Sequence, residues 1–131
     1  MENTLSTSLW KLILRPQWEG ELDEDCATAC RPGGVGALQL SAYQKDNGAV
    51  TDDDLLEFAS ESVPTDTLAQ PVRLGAFSGL SYRYLEGATV WRRWFLRAGR
   101  TLLFVTYNCD QGAADVETDD VDLTLHSLQA L

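Results

Sequence analysis

Residues 89–109, TVWRRWFLRAGRTLLFVTYNC, constrain what this chain can fold into more than any other stretch. Two runs of β-branched and aromatic residues flank Ala98-Gly99, the pattern of a long antiparallel hairpin. With the turn at Ala98-Gly99, Trp94 is expected opposite Leu103 and Phe95 opposite Leu102. Alternation gives one face Val90, Trp94, Leu96, Leu103, Val105 and Tyr107. The other face carries Trp91, Phe95, Leu102 and Phe104, with Arg93, Arg97 and Arg100 among them. A sheet with this much aromatic content on both faces needs cover, so helices must lie on at least one side.

The rest of the chain supplies that sheet and its cover. A strand is expected at residues 9–15, where Trp10, Leu12 and Leu14 alternate with Lys11, Ile13 and Arg15, and Pro16 ends it. The acidic connection QWEGELDED follows, with Trp18 tucked onto the core edge. Residues 25–30 and 36–43 read as a second hairpin around the turn Arg31-Pro-Gly-Gly-Val35, with Leu38, Leu40 and Ala42 on one face. Thr51 opens a helix. Asp52, Asp53 and Asp54 sit in its first turn, at the positive end of the dipole; Leu55, Phe58 and Ala59 face inward, and it stops before Pro64. Residues 65–70 form a linker.

A short strand at 72–75 and a longer one at 79–85 lead into the hairpin, with a bulge or kink at Phe77-Ser-Gly79 and a tight turn at Glu86-Gly87. From about Val116 the pattern turns helical, with Val121, Thr124, Leu125, Leu128 and Leu131 on one face. Residues 1–8 are polar and expected to fray. The predicted order is βββ–α–ββββ–α. This is a single α+β domain over residues 1–131, an antiparallel sheet of about six to seven strands flanked by helices.

Charge narrows the function. Between residues 71 and 109 six arginines stand against one acid, Glu86, a net of +5; elsewhere four bases face nineteen acids, a net of −15, and together these give the chain's −10. Such a balance excludes a general nucleic-acid binder, which needs a basic footprint, and suits a basic protein partner. No apolar run approaches ~18 residues, so no membrane span is expected. MENTLSTSLWKLILRP lacks the basic start and continuous apolar stretch of a signal peptide, which points to the cytoplasm. The odd count of cysteines (Cys26, Cys30, Cys109) agrees, reading as reduced thiols.

No constellation for catalysis, a metal or a cofactor stands out. Cys26 and Cys30 on one strand lie roughly 13 Å apart, too far for one zinc site or a disulfide. His126, the only histidine, falls off the apolar stripe of the last helix. The acids at 52–54 and at 117–122 read as helix caps and solvated faces, without the glycine and glutamate of a calcium loop. Pro32-Gly-Gly-Val-Gly36 is not a phosphate-binding loop. What remains is the arginine–aromatic face. Its arginines either cover the sheet and pair with the acidic helices, or form a platform for a partner segment.

The strand-Pro-x-Trp start (Leu14-Arg15-Pro16-Gln17-Trp18), the hairpin, the short helix Asp54-Leu-Leu-Glu-Phe58, Phe77-Ser-Gly79, Trp91-Arg-Arg-Trp94 through Gly99, Leu103-Phe-Val-Thr-Tyr107 and the terminal helix come in an order that resembles the Mog1/PsbP-like fold of small DcrB-like bacterial proteins. The resemblance covers residues 9–131. It implies an antiparallel sheet between helices and a non-enzymatic scaffold; members include a Ran-GTPase-binding protein, photosystem subunits and chaperones for secreted bacterial effectors.

The expected function is a non-catalytic protein-interaction domain, a chaperone or immunity-type partner of a secreted bacterial protein, with Trp91, Arg93, Phe95, Arg97 and Phe104 as its binding residues. The alternative is a small-ligand carrier, with a pocket between sheet and helices and Arg92 or Arg93 as counter-charge.

Overall fold

A computed structural model describes residues 3–24, 26–61, 64 and 67–131. Among these lie ten strands and two helices: β1 (Asn3–Ser6), β2 (Trp10–Leu14), β3 (Glu19–Leu22), β4 (Ala27–Cys30), β5 (Gly36–Gln44), α1 (Asp52–Ser60), β6 (Gln70–Leu74), β7 (Phe77–Glu86), β8 (Thr89–Ala98), β9 (Thr101–Asp110), α2 (Thr118–His126) and β10 (Gln129–Ala130). Seven strands form one antiparallel sheet in the order β3-β4-β5-β9-β8-β7-β6. The other three form a small sheet, β1-β2-β10. The class is α+β, as the alternation predicts.

The large sheet has two apolar faces, for the reason its central hairpin dictates. Its inner face contributes Leu38, Leu40, Val90, Trp94, Leu96, Leu103, Val105 and Tyr107 to the main core. That core is completed by Trp10, Leu12 and Leu14 of β2 and by Val121, Leu125 and Leu128 in and after α2. The outer face carries Phe95, with Leu80, Tyr82, Leu102 and Phe104, beneath Leu55, Ala59 and Phe58 of α1.

The hairpin turn lies one residue later than expected. Ala98 pairs with Thr101, leaving Gly99 (φ +58°) and Arg100 as the turn. Trp94 therefore faces Val105 and Phe95 faces Phe104, a register shift of two that leaves every side chain on its predicted face.

Several elements differ from the reading of the sequence. Asn3–Ser6 does not fray: it pairs with Lys11–Leu14 of β2, with Leu5 buried, while residues 1 and 2 lie outside the described residues. Glu19–Leu22, taken as a connection, is an exposed edge strand on β4. Asp25, the expected strand start, and Thr65 and Asp66 of the expected linker lie outside the described residues. Phe77-Ser-Gly79 is neither a bulge nor a kink; the chain reverses at Gly75-Ala76, with Gly75 at φ +60°, and β6 and β7 form a tight hairpin. The last helix stops at His126, and Gln129–Ala130 joins β2, which leaves Leu131 exposed. Trp18 is buried as expected; Pro16 and Gln17 (φ +76°) turn the chain back, and its indole N–H donates to Asp120 at 3.2 Å.

The start of α1 is a capping box. The Thr51 hydroxyl accepts from the Asp54 N–H at 3.2 Å, and the Asp54 carboxylate accepts from the Thr51 N–H at 2.9 Å. That second bond, followed by the Lys45 ammonium at 2.9 Å, holds the Asp54 carboxyl below its ordinary range. A depressed folded-state pKa stabilises above the unfolded value and is lost as pH falls through the folded one. In Asp54→Ala the acid limb of the pH–stability curve, followed by circular dichroism on melting, is therefore expected to be shallower than in the parent. Superimposable acid limbs would show that the box contributes nothing to stability.

Candidate interaction face

The outer face of the large sheet is laid out in cross-strand rows. One row, Ser41–Phe104–Phe95–Leu80, runs beneath α1. Phe58 of that helix sits edge-on to both Phe95 and Phe104 at 5.7 Å, and those two rings stack at 5.1 Å. Phe95 is fully buried and Phe104 half-buried. These two predicted binding residues form the seat of a helix, and neither presents an open ring to a partner.

The adjacent rows are open to a different degree. Thr28–Gln39–Thr106–Arg93–Tyr82 and Ala37–Asn108–Trp91–Tyr84 continue the same face, the first still reaching α1 through the buried Tyr82. Here the Arg93 guanidinium lies 5.2 Å from the Trp91 ring centre and 5.3 Å from that of Tyr84, a cation held between two aromatic walls. Trp91, Arg93 and Tyr84 are each half-buried. Burial, opposed by the Arg93 charge, raises the Tyr84 hydroxyl above its usual range.

The remaining arginines of the hairpin largely answer acids elsewhere in the chain, as one of the two readings of the sequence expects. Arg97 donates to Asp52 of α1 at 2.8 Å, and so fastens that helix to the sheet. On the inner face Arg92 donates to Asp122 of α2 at 2.7 Å and lies 4.7 Å over the Trp94 ring. Arg100 donates to the Asp46 carbonyl at 3.1 Å. Of the five predicted binding residues, the structure thus brings Trp91 and Arg93 together, both half-buried, places Arg97 at the margin of α1, and puts Phe95 and Phe104 beneath it.

One functional-looking group was not expected to be buried. Glu117 does not cap α2 with its side chain and is only 1 % exposed. It accepts from the Tyr107 hydroxyl at 2.7 Å, and Arg31 lies 3.5 Å away. The glycine run at 33–36 serves this contact: a β-carbon on Gly34 would strike the Glu117 carboxyl, and one on Gly36 the Asn108 carbonyl and the Tyr107 ring. The signal was present in the sequence, because Glu117 lies one helical turn before Val121 on the apolar stripe.

Cys26, Cys30 and Cys109 are free thiols, and His126 is exposed at the end of α2. Among the described residues no group of His, Cys, Asp and Glu is placed to hold a metal ion, and no helix is long and apolar enough to cross a membrane.

Solved structures share this arrangement. A protein from Bacteroides thetaiotaomicron matches at 15% identity and a TM-score of 0.72, over 98% of this chain and 48% of its own, so the present chain spans about half its length. LpqN, involved in cell envelope biogenesis of Mycobacterium tuberculosis, matches at 12% identity over 98% of this chain and 84% of its own, with a TM-score of 0.59. Cyanobacterial PsbP from Synechocystis matches at 11% identity over 99% and 92%, with a TM-score of 0.52. No protein-family model and no curated protein matches the sequence. The fold is Mog1/PsbP-like, and at these identities the likeness is one of fold.

Proposed function

We propose that this chain is a non-catalytic protein-interaction domain of the bacterial cytoplasm, docking its partner on the part of the outer sheet face that carries Tyr84, Arg93 and Trp91. The observation that carries this reading is the Tyr84–Arg93–Trp91 stack. Aromatic rings and guanidinium groups supply much contact area for few rotatable bonds, and here each is already held in place by its neighbours. Arg97 and the pair Phe95–Phe104 act from the margin and from below, by fixing α1.

The same face ends at β3 in Glu19 and Glu21, both exposed, within a chain of net charge −10. A basic partner segment fits that surround, with its apolar side on the rings. A chaperone or immunity-type role toward a secreted protein is one use of such a surface. The free thiols suit a reducing compartment.

The test is capture through a photo-crosslinking side chain at position 91 in the native lysate, compared with the same group at the exposed Leu123 of α2. A partner is expected at 91 and not at 123, and Trp91→Ala with Arg93→Ala is expected to weaken its binding by at least about tenfold. Equal binding by the folded double variant would overturn the assignment.

A further inference from the structure

We infer that a cleft at the edge of the large sheet binds a small molecule with an anionic head and an apolar body. The inference does not rest on the protein-docking reading, although Tyr84 of that stack also lines the cleft. The cleft opens where β6 ends: the pairing of β6 with β7 stops at Gln70 and Ser81, and residues 82–86 run on without a strand on that side among the described residues. Its volume is about 720 Å³, within the range of small-molecule sites. Arg83, Arg92, Ser81 and Thr118 supply polar walls, and Leu68 and Leu85 apolar ones.

The charge of this cleft runs against that of the chain. The described residues that line it include two arginines and no acid, although the protein carries twenty acids and ten bases. The two arginines are also direct cross-strand partners, Arg83 opposite Arg92, an arrangement in which like charges repel. Asp122 answers only one of them, through Nη2 of Arg92. Nη1 of Arg92 is buried with no hydrogen-bond partner among the described residues, and Arg83 is exposed and forms no ion pair among them.

Arg92 is not free to turn toward water, because its guanidinium is clamped between Asp122 and the Trp94 ring. An anion set against this arginine pair answers the charge of Arg83 and relieves the Arg83–Arg92 repulsion. Carboxylate and phosphate heads both have this geometry. Leu68 and Leu85, both exposed, provide the surface for a hydrocarbon or aromatic body.

The experiment titrates octanoate, acetate and inorganic phosphate separately into the full chain at low ionic strength, following the arginine Nε–H signals by NMR. Octanoate is expected to saturate and to bind more tightly than acetate. Arg83→Gln is expected to weaken it by about tenfold, and Arg73→Gln, at an exposed site on β6, to leave it unchanged. Saturation by phosphate with the same dependence on Arg83 assigns the head to the phosphate esters. Failure of both octanoate and phosphate to saturate, or equal binding by Arg83→Gln, overturns the inference.

Discussion

Phe95→Ala is expected to lower the free energy of unfolding by about 3–5 kcal/mol, the usual range for deleting a buried phenylalanine ring. Phe95 is fully buried, stacks on Phe104 and takes the edges of Phe58 and Tyr82. Its loss opens a cavity directly beneath α1, whose other anchors are Leu55, Ala59 and the Arg97–Asp52 pair. Surrounding rings can close only part of that space. Phe95→Leu refills most of it and is expected to cost about 1–2 kcal/mol. Trp91→Ala removes a half-buried ring and a cation–π contact and is expected to cost about 1 kcal/mol. Urea unfolding measures all three, and hydrogen exchange in α1 locates the first. The ordering separates two positions on one face: Phe95 holds the helix, and Trp91 does not. An unfolding midpoint unmoved in Phe95→Ala would make the ring a surface contact after all.

That division was only half legible in the sequence. Alternation over residues 89–109 assigns each side chain to a face, because the two-residue period of a strand is local. It does not say which residues of a face a helix forty positions away will cover. Phe95 and Trp91 therefore looked alike until α1 was placed.

Two strands carry no signal in the sequence, for a related reason. β1 buries only Leu5, and β3 buries nothing, so neither shows an apolar period; both exist because a neighbour offers a free edge. The cleft was less legible still. Arg83 and Arg92 are nine positions apart in the chain. They become a pair only through the β7–β8 register, which the turn at Gly87-Ala88 sets.

Tyr107→Phe is expected to cost about 1–3 kcal/mol at neutral pH although the ring stays in place. What it removes is the one short hydrogen bond to Glu117, a side chain buried against the inner face, and an acceptor left unsatisfied there bears its full desolvation cost. Arg31 at 3.5 Å and the Val35 N–H at 3.4 Å reach the other carboxyl oxygen and do not replace that donor. The alkaline limb supplies a second readout. Burial, and then the bond to Glu117, push the Tyr107 hydroxyl well above the ordinary value of 10.0. Above that pH the unfolded chain has lost the proton while the folded one keeps it, so the unfolded state binds fewer protons and stability falls as pH rises. The expected slope is about 1.4 kcal/mol per pH unit. Tyr107→Phe should remove it, leaving the smaller contribution of Tyr84, whose hydroxyl is also raised. A variant less stable at pH 7 but flatter above pH 10 identifies the Tyr107–Glu117 bond as the source of both effects. A loss at pH 7 with the alkaline slope intact would point instead to repacking around the ring.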